Sequence, residues 1–571
     1  MAEDSVSTLS LEEAVARYDK LWRAAYDEEV SRTFTQTHQT IRECMDAWMA
    51  TDLADKPLIY FEDRVITRRE ANLQANRLAN ALFEVGAVKG RRVSIIMANR
   101  PEIVEAFMAC YKGGFIAAPF NERCTSREIQ GAIRTAGSST VIIEYAQFEK
   151  IFAPVEEGDC PCVHRIIVLD WPAERPLPEH VPVPVYDYAD LVSGANPEEP
   201  AVEIFPDDEA LLLYTGGTTG VPKGCCQTQR RMTFELQAMH HWAHHVLKHP
   251  YPRTLICMPM THIMGINYGI NWQMINGGST IIVDGHKAHH IIDAFNRFEP
   301  TMWAALPTLI HSISFDPSLS ATTSRNLDFV IFGGSFIAKE TLHNMIAKTD
   351  ASFIESYGMT ESFGFVTANP AKSMGKVGSI GLPISSTDVL IVDTEDGTKA
   401  LPPNHYGEII FRGPEVIDEY WNNPEETAKA IRNGWMYSGD IGYMDEDGFF
   451  YITDRKKDII VVSGFNVFPK EIDELLMSHP AIADACTVGV PNAHSGERPK
   501  SFIVLKEGAK LTEEEVIAYC KQSLVAYKAP KYVEFIDEIP KTKNRKQDRA
   551  LLKKREADRM RAEAGNTALF G

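Results

Sequence analysis

No run of eighteen apolar residues occurs in the 571-residue chain, so no membrane-spanning helix is expected. The N-terminus, Met1-Ala-Glu-Asp4, is acidic and lacks a signal-peptide pattern. Basic charge is in deficit: 58 Lys and Arg stand against 78 Asp and Glu, a net charge of −20. That argues against nucleic acid as a partner held by bulk electrostatics, although an anionic substrate needs only a local basic site. The ten cysteines form no C-x-x-C pair and no regular spacing. Such usage suits reduced thiols in cytoplasm rather than a disulfide framework. Internal repeats are also lacking. A chain of this length, 44% hydrophobic, is globular and too long for one core, so two or more domains are expected.

What is present is organised around Tyr214-Thr-Gly-Gly-Thr-Thr-Gly-Val-Pro-Lys-Gly224. It follows the apolar run Ala210–Leu213, which reads as a buried strand. Glycines 216, 217 and 220 let backbone N–H groups approach an oxyanion closely, and the hydroxyls of Thr218 and Thr219 add donors. Lys223 supplies a point charge for phosphate. The loop is not a Walker A motif, which needs G-x-x-x-x-G-K-[ST] and a helix straight after. The chemistry suggested is the grip on a nucleotide triphosphate; eleven residues of this composition argue against a plain Gly/Thr turn between strands, and the loop alone names no reaction.

The remaining chain alternates strand and helix patterns. Ser10-Leu-Glu-Glu13 is a capping box, followed by an amphipathic helix that packs on the body or on a second subunit of a homodimer. Residues 57–61, 92–97 and 141–144 read as strands; 68–85 and 102–112 read as helices. This alternation favours mostly parallel sheets covered by helices. Residues 172–206, rich in Pro and Glu, read as a surface connection. His240, His241, His244, His245 and His249 have spacings that could bind zinc, but no acidic or cysteine ligand set accompanies them, so a His-rich helix face is the simpler reading. Phe329–Ser335 is a buried strand ending in Gly-Gly-Ser, and Ser352–Glu361 repeats that geometry. Strand C-terminal ends are where open α/β sheets bind ligands. Tyr357 offers a face for a purine, Thr360 a hydroxyl, and Glu361 a hard oxygen for Mg²⁺. Asp440 can accept bonds from both hydroxyls of a ribose. Beyond residue 457 the pattern is α+β, and the final helix, about 548–564, is highly charged and expected to be solvated.

Together these motifs resemble the acyl-adenylate-forming superfamily: acyl-CoA synthetases, stand-alone adenylation enzymes and luciferases. Tyr214–Gly224 resembles its phosphate loop, Pro259-Met-Thr-His-Ile-Met-Gly265 its P-x-x-H-x-x-G segment, and Tyr357-Gly-Met-Thr-Glu361 its adenine and metal motif. Asp440 and Arg455 match its ribose positions, Lys457 its hinge, and Pro540–Lys546 the segment carrying its adenylation lysine. The resemblance runs from about residue 57 to 550. Two residues depart from it: Gly216 replaces a serine, and Arg545 replaces a glycine. If that glycine position needs φ > 0, arginine strains the loop by about 1–2 kcal/mol.

The resemblance implies a large domain, residues 1–456, of helix-covered mostly parallel sheets plus a β unit, and a small mobile α+β domain, residues 457–571. It implies an acid–CoA ligase using ATP, Mg²⁺ and coenzyme A, acting on a small-molecule carboxylic acid. The nucleotide would be held by Thr215, Gly216, Gly217, Thr218, Thr219, Gly220, Lys223, Gly333, Gly334, Ser335, Glu355, Ser356, Tyr357, Gly358, Met359, Thr360, Asp440, Ile452, Arg455 and Lys546. Lys546, Thr218, Glu361 and His262 would be catalytic, with Thr218 and Glu361 at the metal. His262, Ile263, Met264, Trp303, Phe336, Phe363 and Phe365 would surround an apolar acyl tail, fatty first and aryl or alicyclic second. Ser463, Gly464 and Phe465 would line the CoA channel. An enzyme that loads a carrier-protein thiol, a non-catalytic nucleotide-binding relative and a luciferase-type oxidase are the alternatives.

Overall fold

The computed structural model describes residues 8–568, apart from 180, 216–221, 284, 286, 320–323, 335–336, 338, 464, 493–494 and 543–546. Two large sheets carry the alternating strands and helices. One has the spatial order Gly224–Thr228, Glu209–Tyr214, Ile116–Pro119, Arg92–Ile96, Thr140–Glu144, Arg165–Leu169 and Val185–Asp187, parallel except for the first pair. The other has nine strands. Its parallel centre includes Arg253–Ile256, Met302–Ala305, Phe329–Gly333 and Ser352–Met359, and antiparallel strands close both edges. The helix Pro101–Gly113 is buried from Ile103 to Gly113, including Lys112, whose charge is paired with Glu199 at 2.6 Å. It shares one core with Ile95 of the first sheet and Ile256 of the second.

A third, antiparallel sheet takes in Asp388–Val392, Gly407–Arg412, Trp435–Met444 and Phe450–Arg455, the expected β unit. The capping-box helix Leu11–Ala25 lies on it, burying Ala14, Tyr18 and Trp22. Strand Leu9–Ser10 pairs with Lys399–Ala400, and Glu12 meets Arg412 at 2.6 Å. The helix therefore packs on its own body.

A fourth sheet of five strands lies wholly beyond residue 459 and carries the helices Pro469–Met477, Glu513–Ser523 and Arg549–Ala568. This is the α+β unit read from the sequence. Its last helix is not simply solvated. Leu552 is buried, and Glu556, also buried, receives Lys500 at 2.8 Å. Arg549 also pairs with the buried Asp473, so one leucine and several ion pairs anchor that face, too few apolar positions to give a periodic signal. Residues 172–206 also hold more than a connection: Val185–Asp187 adds an edge strand, and Tyr188–Ser193 forms a short helix. The His-rich stretch serves packing. His245 lies 3.0 Å from Asp27, His249 3.0 Å from Asp328, and the His241 ring 3.0 Å from the Ser31 hydroxyl. All ten cysteines are free thiols.

Candidate active site

A cleft of about 3350 Å³ runs between the ends of the nine-stranded sheet, the antiparallel sheet and the small α+β unit. Ligand pockets are commonly about 300–1,000 Å³, so this cleft has room for several substrates.

The loop that organised the sequence closes a hairpin. Tyr214 pairs with Gly224 across it. Thr215 N–H donates to Lys223 O at 2.9 Å, and Lys223 N–H to Thr215 Oγ1 at 3.3 Å. Thr215 and Lys223 thus form the neck of the loop. Gly216, Gly217, Thr218, Thr219 and Gly220 lie outside the described residues. Lys223 Nζ sits 4.4 Å from the Tyr420 ring centre and 3.5 Å from Glu426.

Gly333 and Gly334 line the cleft where their strand ends; Ser335 and Phe336 are outside the described residues. A Cβ on Gly333 would lie 2.3 Å from Ser356 O, and one on Gly358 would lie 1.4 Å from Gly364 O. Neighbouring backbone alone requires glycine at both positions. Glu355, Ser356, Met359 and Thr360 also line the cleft. Burial pushes the Glu355 carboxyl up to about 7.

Two predicted nucleotide residues meet on the carboxylate of a third. Tyr357 Oη donates to Asp440 Oδ2 at 2.7 Å, and Arg455 Nε faces Asp440 Oδ1 at 2.7 Å. Asp440 is 3% exposed and sits on the middle of the antiparallel sheet, while Tyr357 comes from the nine-stranded one. Arg455 is held above its ordinary pKa, first by the Asp440 charge. Asp440→Ala removes this shared acceptor. The expected result is a KM for ATP raised about 10–100-fold, from the ~1.5–3 kcal/mol of a charged hydrogen bond, with KM for the acid unmoved. Initial-rate kinetics with each substrate varied in turn check it.

Glu361 is buried on the turn after Met359, and its Oε1 accepts the Tyr420 hydroxyl at 2.7 Å. Burial raises its pKa, and the Tyr420 hydrogen bond opposes that rise. A carboxylate and the neighbouring Thr360 hydroxyl are the hard oxygen donors that suit Mg²⁺. His262 caps the helix Ile263–Ile266, with Met264 N–H donating to its Nδ1 at 3.4 Å. Asn99 steadies the segment before it, donating to Met258 O and accepting from Met260 N–H. Gly265 packs on Pro259, where a Cβ would fall 2.1 Å from the Pro259 carbonyl oxygen. The proline and glycine of the P-x-x-H-x-x-G segment thus fix the bend that presents His262.

His262, Ile263, Met264 and Phe365 line the cleft as expected. Trp303 and Phe363 do not. Met302 and Ala304 face the core between the sheets, so strand alternation turns Trp303 to the opposite face, edge-on to Phe295. Phe363 has φ 56° and is fully buried in the core. In their place Met239, Asn267 and Tyr268 line this arm of the cleft, and the sequence reading missed all three. Asn267 and Tyr268 belong to the π-helical turn Asn267–Asn271, a feature that recurs at functional sites and leaves no periodic trace.

Lys541, Thr542 and Gln547 line the cleft on both sides of Lys546, which itself lies outside the described residues. Ser463, with φ 52°, and Phe465, stacked on Tyr527 at 4.8 Å, do not line it; Gly464 is not described. Lys457 is the third residue of a turn closed by Asp458 N–H to Arg455 O at 2.9 Å. Across this turn, Lys470 N–H donates to Asp454 Oδ2 at 2.8 Å and Lys470 Nζ to Ile452 O at 2.9 Å. Phe468 stacks on Tyr406 at 5.6 Å.

Comparison with known proteins agrees with this geometry. The family model of AMP-binding enzymes matches residues 46–421, and that of their C-terminal domain matches residues 471–546. A long-chain-fatty-acid–CoA ligase of Bacillus subtilis (strain 168) is 31% identical over 541 residues, covering 92% of this chain and 96% of its own. A feruloyl-CoA synthase of an Amycolatopsis species is 29% identical, over 84% of this chain and 91% of its own. The crystal structure of ATP-bound MatB from Rhodopseudomonas palustris aligns with TM-score 0.81 and 26% identity, over 90% of this chain and 98% of that one. The chain belongs to the AMP-binding enzyme family, as an ATP-dependent acid–CoA ligase of the acyl-adenylate-forming superfamily.

Proposed function

We propose that the ligase activates an apolar carboxylic acid, with a fatty acid as its main substrate. In the first half-reaction a carboxylate oxygen attacks the α-phosphorus of ATP, forming acyl-AMP as pyrophosphate leaves. In the second, the CoA thiolate attacks the acyl carbon and AMP leaves; the thiol proton goes to solvent. The convergence of Tyr357 and Arg455 on Asp440, inside a cleft flanked by both neighbours of the Lys546 segment, carries the reading.

In this account Asp440 receives the ribose, and Tyr357 borders the purine. Thr218 and Thr219 donate hydrogen bonds to the phosphates, and Lys223 and Lys546 neutralise their charge, as the pentavalent phosphorus forms. Glu361 with Thr218 would hold Mg²⁺, which would supply further charge neutralisation at the phosphates. His262 borders the carboxylate. Met239, Ile263, Met264, Tyr268 and Phe365 supply an apolar arm for the acyl tail. The name of the feruloyl-CoA relative, with Tyr268 and Phe365 rings 5.9 Å apart, supports an aryl acid as the second candidate. We place the domain boundary at Lys457 and the CoA channel at Ser463, Gly464 and Phe465. The present pose, with the Lys546 flanks on the cleft and Phe465 away from it, suits the first half-reaction. The CoA step then requires the small domain to turn about Lys457. Ten free thiols fit a reducing compartment, here the cytoplasm.

A panel of acids scored by AMP release tests the substrate. Medium- and long-chain fatty acids are expected to lead. Preference for a hydroxycinnamic acid would move the assignment to aryl acids.

A further inference from the structure

Glu235 lies in the helix Gln229–Ala243, is fully buried, and has no part in the chemistry above. Its Oε1 accepts the N–H of Phe365 at 2.5 Å. Phe365 and Gly364 line the cleft, next to Tyr268 and Asn267. Gly364 has φ +150°, and a Cβ there would lie 2.7 Å from Glu235 Oε1 and 3.0 Å from Asn267 Nδ2. Asn267 Nδ2 in turn donates to Phe363 O. Backbone groups of residues 363 and 365 are thus gripped by two side chains from two different helical segments, with no room between them for a side chain at 364.

Burial drives the Glu235 carboxyl well above the ordinary carboxylate range, and the charge of Glu415, also fully buried, adds to the effect. The value of Glu235 here is one accepting oxygen on a side chain of fixed length. The polar groups that meet nucleotide, Tyr357, Asp440 and Arg455, make no bond to it.

We propose that Glu235 is a positioning residue for acid binding, which holds the Gly364–Phe365 wall and so sets the width of the acyl arm. The inference rests on reading that arm as the acyl pocket. A deleted or shortened carboxyl leaves the Phe365 N–H unpaired and lets the wall move. Glutamine offers an oxygen at the same place.

Acid-dependent ATP–pyrophosphate exchange of the full chain, with acid and ATP varied separately, tests it in Glu235→Gln, Glu235→Leu and Glu235→Asp. Glu235→Gln keeps both KM values within about threefold. Glu235→Leu and Glu235→Asp raise KM for the acid about tenfold or more, the scale of one orphaned buried donor, and leave KM for ATP within about threefold. If the leucine variant fails to fold, the aspartate variant carries the test alone. An unmoved acid KM, equal changes in both KM values, or a glutamine variant as weak as the leucine one overturns the inference. Wild-type exchange that no acid stimulates would instead overturn the ligase reading itself.

Discussion

Lys546→Ala lowers acid-dependent ATP–pyrophosphate exchange by about 10²–10³-fold, the usual cost of removing one group that stabilises transition-state charge. Conversion of supplied acyl-adenylate to acyl-CoA stays within about threefold of wild type, because the lysine acts in one half-reaction only. The reason is position. Lys546 ends the segment that resembles the superfamily's adenylation loop, and Lys541, Thr542 and Gln547 on either side of it line the cleft. Two assays on one preparation decide it. A loss of exchange below tenfold removes Lys546 from the role and moves attention to Lys541 and Lys543.

Lys457→Pro separates the half-reactions in the opposite sense. Proline fixes φ near −65° and removes an N–H, whereas a hinge must change its dihedrals at a few residues. The turn Arg455–Asp458 puts Lys457 third of four. Proline there also disfavours the α conformation of the residue before it. The first half-reaction therefore falls by about tenfold, for ~1–2 kcal/mol of turn strain. Acyl-CoA formation falls far more, and acyl-adenylate accumulates on the enzyme. Circular dichroism establishes that the variant is folded. Equal retention of both activities would remove Lys457 as the hinge, and with it the rotation on which the assignment of Gly464 depends. The contacts that rotation must break are specific ones: Asp454 at the N-terminus of Pro469–Met477, Lys470 on Ile452, and Phe468 on Tyr406.

The structure brings together Tyr357, Asp440 and Arg455, all read from motifs, but only some of the residues read as surrounding an acyl tail. Strand-end glycines, the Tyr357–Glu361 run, Asp440 and Arg455 are short motifs whose chemistry is local. Gly333, Gly358 and Gly265 turn out to be required by neighbouring backbone as well. The proposed acyl wall depends instead on which way each side chain turns. Trp303 was expected around an acyl tail as an apolar residue; alternation along Met302–Ala305 sends it to the other face. Phe363 is lost to the core because the chain turns through a positive φ at that residue. Glu235 could not be found by spacing at all, since the N–H it holds is 130 residues away. The packing of the last helix was hidden for a different reason: ion pairs from Arg549 to Asp473 and from Glu556 to Lys500 do work that hydrophobic periodicity normally reveals.

The most direct test of the acid–CoA ligase account is the stoichiometry of one complete turnover, with enzyme, Mg²⁺, ATP and a fatty acid, before and after adding free CoA. Without CoA, acid-dependent exchange of pyrophosphate into ATP is expected, with acyl-adenylate retained on the enzyme. With CoA, AMP and acyl-CoA are expected in equal amounts, with no carrier protein and no oxygen required. Adenylate that forms but passes to no added CoA, or ATP that binds without any acid-dependent exchange, would contradict it.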